Sequence, residues 1–207
     1  SKANKLLLND YCKISKIEPS SLKVEKKMLE IDTDLIEKFD LLNSQANENT
    51  DNKLLSIAKK NFKEKDSLMA LRGRISHPIA QKINLIYNQF KERYEIELSE
   101  MLIILLDDSG DKYLRIPKNE PDKKRSFTKK IFCWETIEYM QTNNNLKPFS
   151  AEIISEFNSS LSNLTTWTKN KVQGSAELKS YLKGCGILLI SPWALIADSS
   201  SKRITEA

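Results

Sequence analysis

The stretch "DSLMALRGRISHPIAQKINLIYNQFKERYEIELSEMLIILLDDSG", residues 66–110, decides the fold. Its apolar residues recur every three or four positions, the period of a helix with one buried face. Asp66 is placed to cap the first segment. Gly73 and Pro78 punctuate the run. A proline suits the first turn of a helix, where its missing N–H costs little, so a new helix is expected from Pro78. That helix carries Ile79, Ile83, Ile86, Tyr87 and Phe90 on one stripe. A second, short helix over residues 98–106 is apolar nearly all round and should be buried. "DDSG" then ends it.

Working outward, the same period continues. "KLLLNDYCKI" reads as a short helix ended by Pro19, and residues 24–46 as an amphipathic helix or two. Residues 53–62 form a further short helix. Downstream, residues 111–124 are a basic connector marked by prolines, and Ser126 or Thr128 caps a helix carrying Ile131, Phe132, Trp134, Ile137 and Met140. Ser150 opens "SAEIISEF", and residues 164–182 read as one long basic helix stopped by "GCG". Five glycines and six prolines in 207 residues are too few for turn-rich sandwiches or barrels. The fold class expected is therefore all-α. A smaller helical segment (1–65) precedes a main helical domain (66–186), and residues 187–207 start a further helical unit that continues past the last residue.

Charge is unevenly placed. The net charge is +5, yet residues 24–66 hold ten acidic against eight basic side chains, while residues 111–130 hold eight basic against three acidic. An excess gathered in the second half fits an anionic partner such as nucleic acid. No apolar run approaches the roughly 20 residues of a membrane span. Cys12, Cys133 and Cys185 are far apart and lack CxxC spacing, so they read as reduced thiols of a cytoplasmic protein.

Little in the chain suggests catalysis. His77 is the only histidine, which leaves no second imidazole for a metal site or acid–base pair, and it reads as a polar residue beside Pro78. "DDSGD" lacks the spaced ligands and closing glutamate of a calcium loop. Cys185 has no evident activating neighbour. No phosphate-cradling or nucleophile-elbow motif is present. The chain is expected to be no enzyme, with no cofactor and no metal. The basic helix is different: a lysine face beside an aromatic ring can hold phosphates and stack on bases. Helix geometry alone favours Trp167 as a core residue and the lysines as a solvated face over a contact surface.

"FNSSLSNLTTWTKNKVQGSAELKSYL" resembles the central segment of sigma factors of the sigma-70 class, in which a phenylalanine and a turn lead to a Ser/Thr–Tyr/Trp motif and a basic helix that contacts promoter DNA. Phe157, Thr166 and Trp167 match those positions, and Lys169 and Lys171 fall in the basic helix. "INLIYNQFKERYEIELSEMLIILLDD" is similar to the preceding sigma helices, and Glu97, Leu98, Glu100 and Met101 stand where that family docks on RNA polymerase. The paired aromatics that melt promoter DNA are replaced by Asn170 and Lys171. The resemblance therefore implies binding to duplex DNA or polymerase core rather than promoter melting. Lys169, Lys171, Lys179 and Lys183 would hold phosphates, with Trp167 anchoring the helix. Lys123, Lys124, Lys129 and Lys130 form a second basic patch. The alternative is a helical protein–protein adaptor using residues 101–106 and the aromatic patch near Trp134.

Overall fold

The computed structural model describes residues 10–118, 127–144 and 146–190. Lys123 and Lys124, the cap expected at Ser126, and most of the unit expected at 187–207 lie outside them. The chain order is β1 (Lys13–Glu18), β2 (Lys23–Met28), α1 (Thr33–Phe39), α2 (Glu48–Lys60), α3 (Asp66–Phe90), α4 (Leu98–Leu105), β3 (Tyr113–Pro117), β4 (Phe127–Ile131), α5 (Trp134–Thr142), α6 (Phe149–Glu156), α7 (Leu164–Gly174) and α8 (Ala176–Gly184). The expectation of an all-α fold is overturned. Eight helices cover 52% of the described residues, and two antiparallel two-stranded sheets cover 13%.

The first sheet stands where a helix was expected. Lys13 pairs with Met28 and Glu18 with Lys23, joined by a turn over Pro19 to Leu22. Leu22 takes a positive φ of 53° there, and its N–H donates to Glu18 O at 2.8 Å. β-branched Ile14 and Ile17 favour the strand. Ile14 buries completely against Leu29 and Met69. Within the basic connector expected over residues 111–124, Tyr113–Pro117 forms a strand, and Thr128 lies in β4 rather than at a helix cap. Its hairpin pairs Tyr113 with Ile131 and Pro117 with Phe127.

α3 is the axis of the molecule. It runs unbroken through Gly73 and Pro78, where a boundary was expected. Every residue from Ser67 to Ser76 is buried, so packing on several sides holds the helix together despite the lost hydrogen bond at Pro78. Its first turn is capped by Glu64, whose carboxylate accepts the N–H of Asp66 at 2.7 Å and of Ser67 at 3.1 Å; Asp66 does not serve as the cap. One core joins α3 (Leu68, Leu71, Ile75, Ile79, Ile83) to α2 through Leu54 and Ala58, to α4 through Met101 and Leu105, and to α7 and α8 through Leu164, Val172, Leu178 and Leu182. α4 is not buried all round: Ile103 is 52% exposed.

The long basic helix expected over 164–182 is two helices. Ser175 adopts an extended backbone, and its side chain accepts the N–H of Leu178, capping α8. Asn163 caps α7 in the same way through the N–H of Thr166.

Two buried arginines tie these layers together. Arg72 on α3 makes two bonds to Asp108, Nε to Oδ2 at 2.8 Å and Nη2 to Oδ1 at 2.6 Å, and its guanidinium lies 4.1 Å from the ring centre of Phe132. Asp108 also accepts from Ser150 Oγ at 2.5 Å and from the Gly110 N–H at 2.9 Å. Burial alone would raise the Asp108 carboxyl; the Arg72 charge and these donors outweigh it and hold the group below the ordinary range. Arg74 reaches Asp51 on α2 at 3.3 Å and Thr165 on α7 at 2.7 Å. Ser150 and the "DDSGD" acids are thus structural. Asp107 accepts the Phe149 N–H at 2.8 Å, and burial pushes its carboxyl up to about 6.

Candidate functional site

The lysines expected to share one contact face do not. Lys171 folds back onto α6, where its ammonium pairs with Glu156 and lies 3.5 Å from Glu152. Its charge is already neutralised. Lys179 lines the same depression as Lys171, beside Lys147, itself paired with Glu177 at 2.5 Å. Lys183 is exposed near the end of α8. Lys169 points the other way, into a groove of about 520 Å³ walled by β2, α3 and α7.

That groove is assembled by the first hairpin lying across α3. The floor is the outward stripe of α3: His77, Ala80, Gln81, Asn84, Leu85 and Asn88, spaced at three and four residues. Lys26 of β2 stands on one wall and Lys169 of α7 on the other. Lys82 lies beside it. Burial lowers the Lys82 ammonium pKa, and the nearby Lys169 charge lowers it further. Among the described residues, none of Lys26, Lys82 or Lys169 has an ion-pair partner. Three elements therefore bring cations together and supply no counter-charge, an arrangement that favours an anion in the groove.

His77 reports the same field. Its Nε2 lies 3.2 Å from Asp10 O, which can only accept, so Nε2 carries the proton. Nδ1 then accepts from Ser15 Oγ at 2.8 Å. Burial first, and the Lys26 charge second, push the imidazole pKa down to about 4. The ring is neutral at pH 7 and fastens β1 to α3. Although a serine and a histidine meet here, Ser15 is only 3% exposed and donates its proton to the ring to hold the hairpin.

Trp167 is half-buried against the core. Its Nε1–H donates to Ile153 O at 3.1 Å, and its ring meets Phe157 edge to face at 6.0 Å. These contacts make it an anchor between α6 and α7 and leave little free ring for a base. Of the four residues expected to dock on polymerase, Glu97 and Glu100 are exposed and Leu98 is partly covered. Met101 is fully buried and cannot touch a partner. Lys129 and Lys130 lie on β4, the first 5.1 Å from the ring centre of Tyr113 and the second 4.5 Å from that of Tyr139. The adaptor surface is largely covered within the chain: Met101, Leu102, Leu105, Leu106 and Trp134 are all buried.

Sequence reasoning missed Lys26, Lys82 and Arg115 as candidates. Lys26 joins Lys169 only once a hairpin folds over α3. The signal available was "KVEKKM", a lysine-rich run with β-branched Val24 among residues read as helical. Among the described residues no group of three or more histidine, cysteine or carboxylate side chains is placed to hold a metal ion, and no helix is long and apolar enough to cross a membrane. Comparison with protein-family models, with curated proteins and with solved structures gave no match.

Proposed function

We propose that this chain is a cytoplasmic transcription regulator that binds duplex DNA, in the manner its resemblance to sigma factors implies. The observation that supports the reading is the groove between β2 and α7, lined by Lys26 and Lys169 without acidic partners among the described residues, with Lys82 beside Lys169. Phosphates are the anions such a site would take, and the polar floor of Gln81, Asn84 and Asn88 offers hydrogen bonds to sugar and phosphate oxygens. The contact set differs from the one the sequence suggests. Lys169 is kept and joined by Lys26 and Lys82, whereas Lys171 is withdrawn into its ion pairs. Association with RNA polymerase core would use the exposed carboxylates of Glu97 and Glu100.

Duplex binding measured across salt concentrations tests the reading. Affinity should fall with a log–log slope near −0.9 per phosphate neutralised, so about −3 for three lysines. Lys169→Gln should lower the slope by about 1, while Lys171→Gln should leave it unchanged. Absence of binding to any duplex at about 50 mM salt would sink the proposal.

A further inference from the structure

The second hairpin carries a surface that the groove does not use. In its register Tyr113 faces Ile131, Arg115 faces Lys129 and Pro117 faces Phe127. These six side chains share one side of the ribbon, because alternate residues of a strand point the same way. All six are exposed, whereas Leu114, Ile116, Thr128 and Lys130 between them are covered to some degree. Tyr113, Phe127 and Ile131 are 48%, 50% and 41% exposed. A two-stranded ribbon that turns aromatic rings to solvent leaves unburied the residues that most favour burial.

The charge on this face is of one sign. Lys129 lies 5.1 Å from the centre of the Tyr113 ring, and Arg115 lies 5.8 Å from the centre of the Phe127 ring. Among the described residues neither cation has a carboxylate partner. The sequence joining the two strands, "KNEPDKKRS", is also basic, with four cations against two acids. The ribbon also borders a cleft of about 370 Å³ shared with β2, where Lys27 and Lys112 are paired with Asp111 and Glu30 and, among the described residues, only Arg115 and Lys129 are left without a carboxylate. Lys26 and Lys27 are neighbours in β2, so this cleft and the α3 groove lie on either side of a single strand.

We propose that the outer face of the β3–β4 ribbon binds an unpaired nucleic-acid strand. Tyr113 and Phe127 each stack one base, and Arg115 and Lys129 between them hold the backbone. The rings sit at opposite ends of the ribbon, four residues apart, or about 13 Å at roughly 3.3 Å per residue. That is several times the roughly 3.4 Å rise between stacked bases, so the strand must open between the two rings. Ile131 beside Tyr113 and Pro117 beside Phe127 widen each apolar shelf. A protein partner fits less well, because two unpaired cations occupy the centre of the face. A duplex fits less well, because its bases are closed to stacking. The inference is independent of the duplex site.

The test is fluorescence anisotropy of the whole chain with a labelled oligothymidylate and a labelled oligouridylate, each of about 12 nucleotides, at about 50 mM salt. Tyr113→Ala and Phe127→Ala should each weaken binding roughly 5- to 100-fold. Tyr113→Phe should retain it, and Arg115→Gln should lower the salt slope. Tighter binding of the oligouridylate names RNA as the strand, tighter binding of the oligothymidylate names DNA, and either result supports the proposal. It is overturned if the native chain binds neither oligonucleotide. It is equally overturned if the Tyr113→Ala/Phe127→Ala double variant, with an unchanged circular dichroism spectrum, binds as the native chain does. Oligonucleotide binding that survives Lys169→Gln while duplex binding is absent would reject the duplex reading and leave the ribbon standing.

Discussion

A single imidazole and a single carboxyl oppose each other in the pH response. His77 has a folded pKa near 4 against 6.5 unfolded, so its contribution is complete above pH 6.5 and is lost as pH falls toward 4. Protonation would place a hydrogen on Nδ1, and the Ser15 hydroxyl would have to turn from donor to acceptor to keep the contact. Asp107 acts in the opposite sense. Its carboxyl, raised from 3.8 to about 6, favours the folded chain at low pH, and that contribution is lost as pH rises through 6. The two nearly cancel between pH 4 and 6. His77→Gln should therefore leave the Asp107 contribution without the opposing imidazole: relative to the native chain, stability should decline between pH 4 and 6 by about 2 kcal/mol in unfolding free energy, read from denaturant midpoints. Little of this could be read from the sequence. His77 was legible as a polar residue next to Pro78. Its partners lie 62 and 67 positions away and meet it only through the hairpin. Trp167 was more legible, since helix spacing already favoured it as a core residue. The fate of Lys171 was not, because Glu152 and Glu156 sit on another helix.

The elements divide by how they bury. α2, α3, α5 and α6 each turn an apolar face inward, and a period of 3.6 finds them. The hairpins escape that test. All six residues of β2 are exposed, and only Ile14 and Ser15 are buried in β1, so no clean alternation exists to be seen. Gly73 was read as punctuation, but its meaning is proximity. A Cβ there would meet Leu29 Cδ1 at 2.7 Å, Lys13 O at 2.8 Å and Tyr11 O at 3.0 Å. The hairpin crosses α3 at the one residue without a side chain, which is why the helix can continue beneath it. Gly73→Ala should consequently destabilise the fold by about 1–3 kcal/mol in urea unfolding, although alanine is the better helix former by about 1 kcal/mol. An unchanged or raised midpoint would show that the hairpin gives way at no cost.

At the scale of the molecule, the Arg72–Asp108 pair fastens α3 to the segment after α4, to α6 through Ser150 and to the second hairpin through Phe132. Asp108→Asn keeps the shape and leaves a guanidinium buried without its counter-charge. Loss of about 3–5 kcal/mol is expected from denaturant unfolding. A near-neutral result would mean that Met69 Sδ and Asp111 O, its other acceptors, suffice to hold the charge.

The wholly exposed strand β2 has a colloidal consequence. Among the described residues it pairs only with β1, so its outer edge offers free N–H and C=O groups to any other strand. Lys23, Lys26 and Lys27 stud that edge, and two copies approaching through it would repel. A polyanion seated on Lys26 and Lys27 would cancel the repulsion and leave the edges free to pair. On the proposed reading, the ammonium groups that would hold a polyanion, Lys26 and Lys27, also help keep copies of the chain apart, so self-association would be favoured once they are covered.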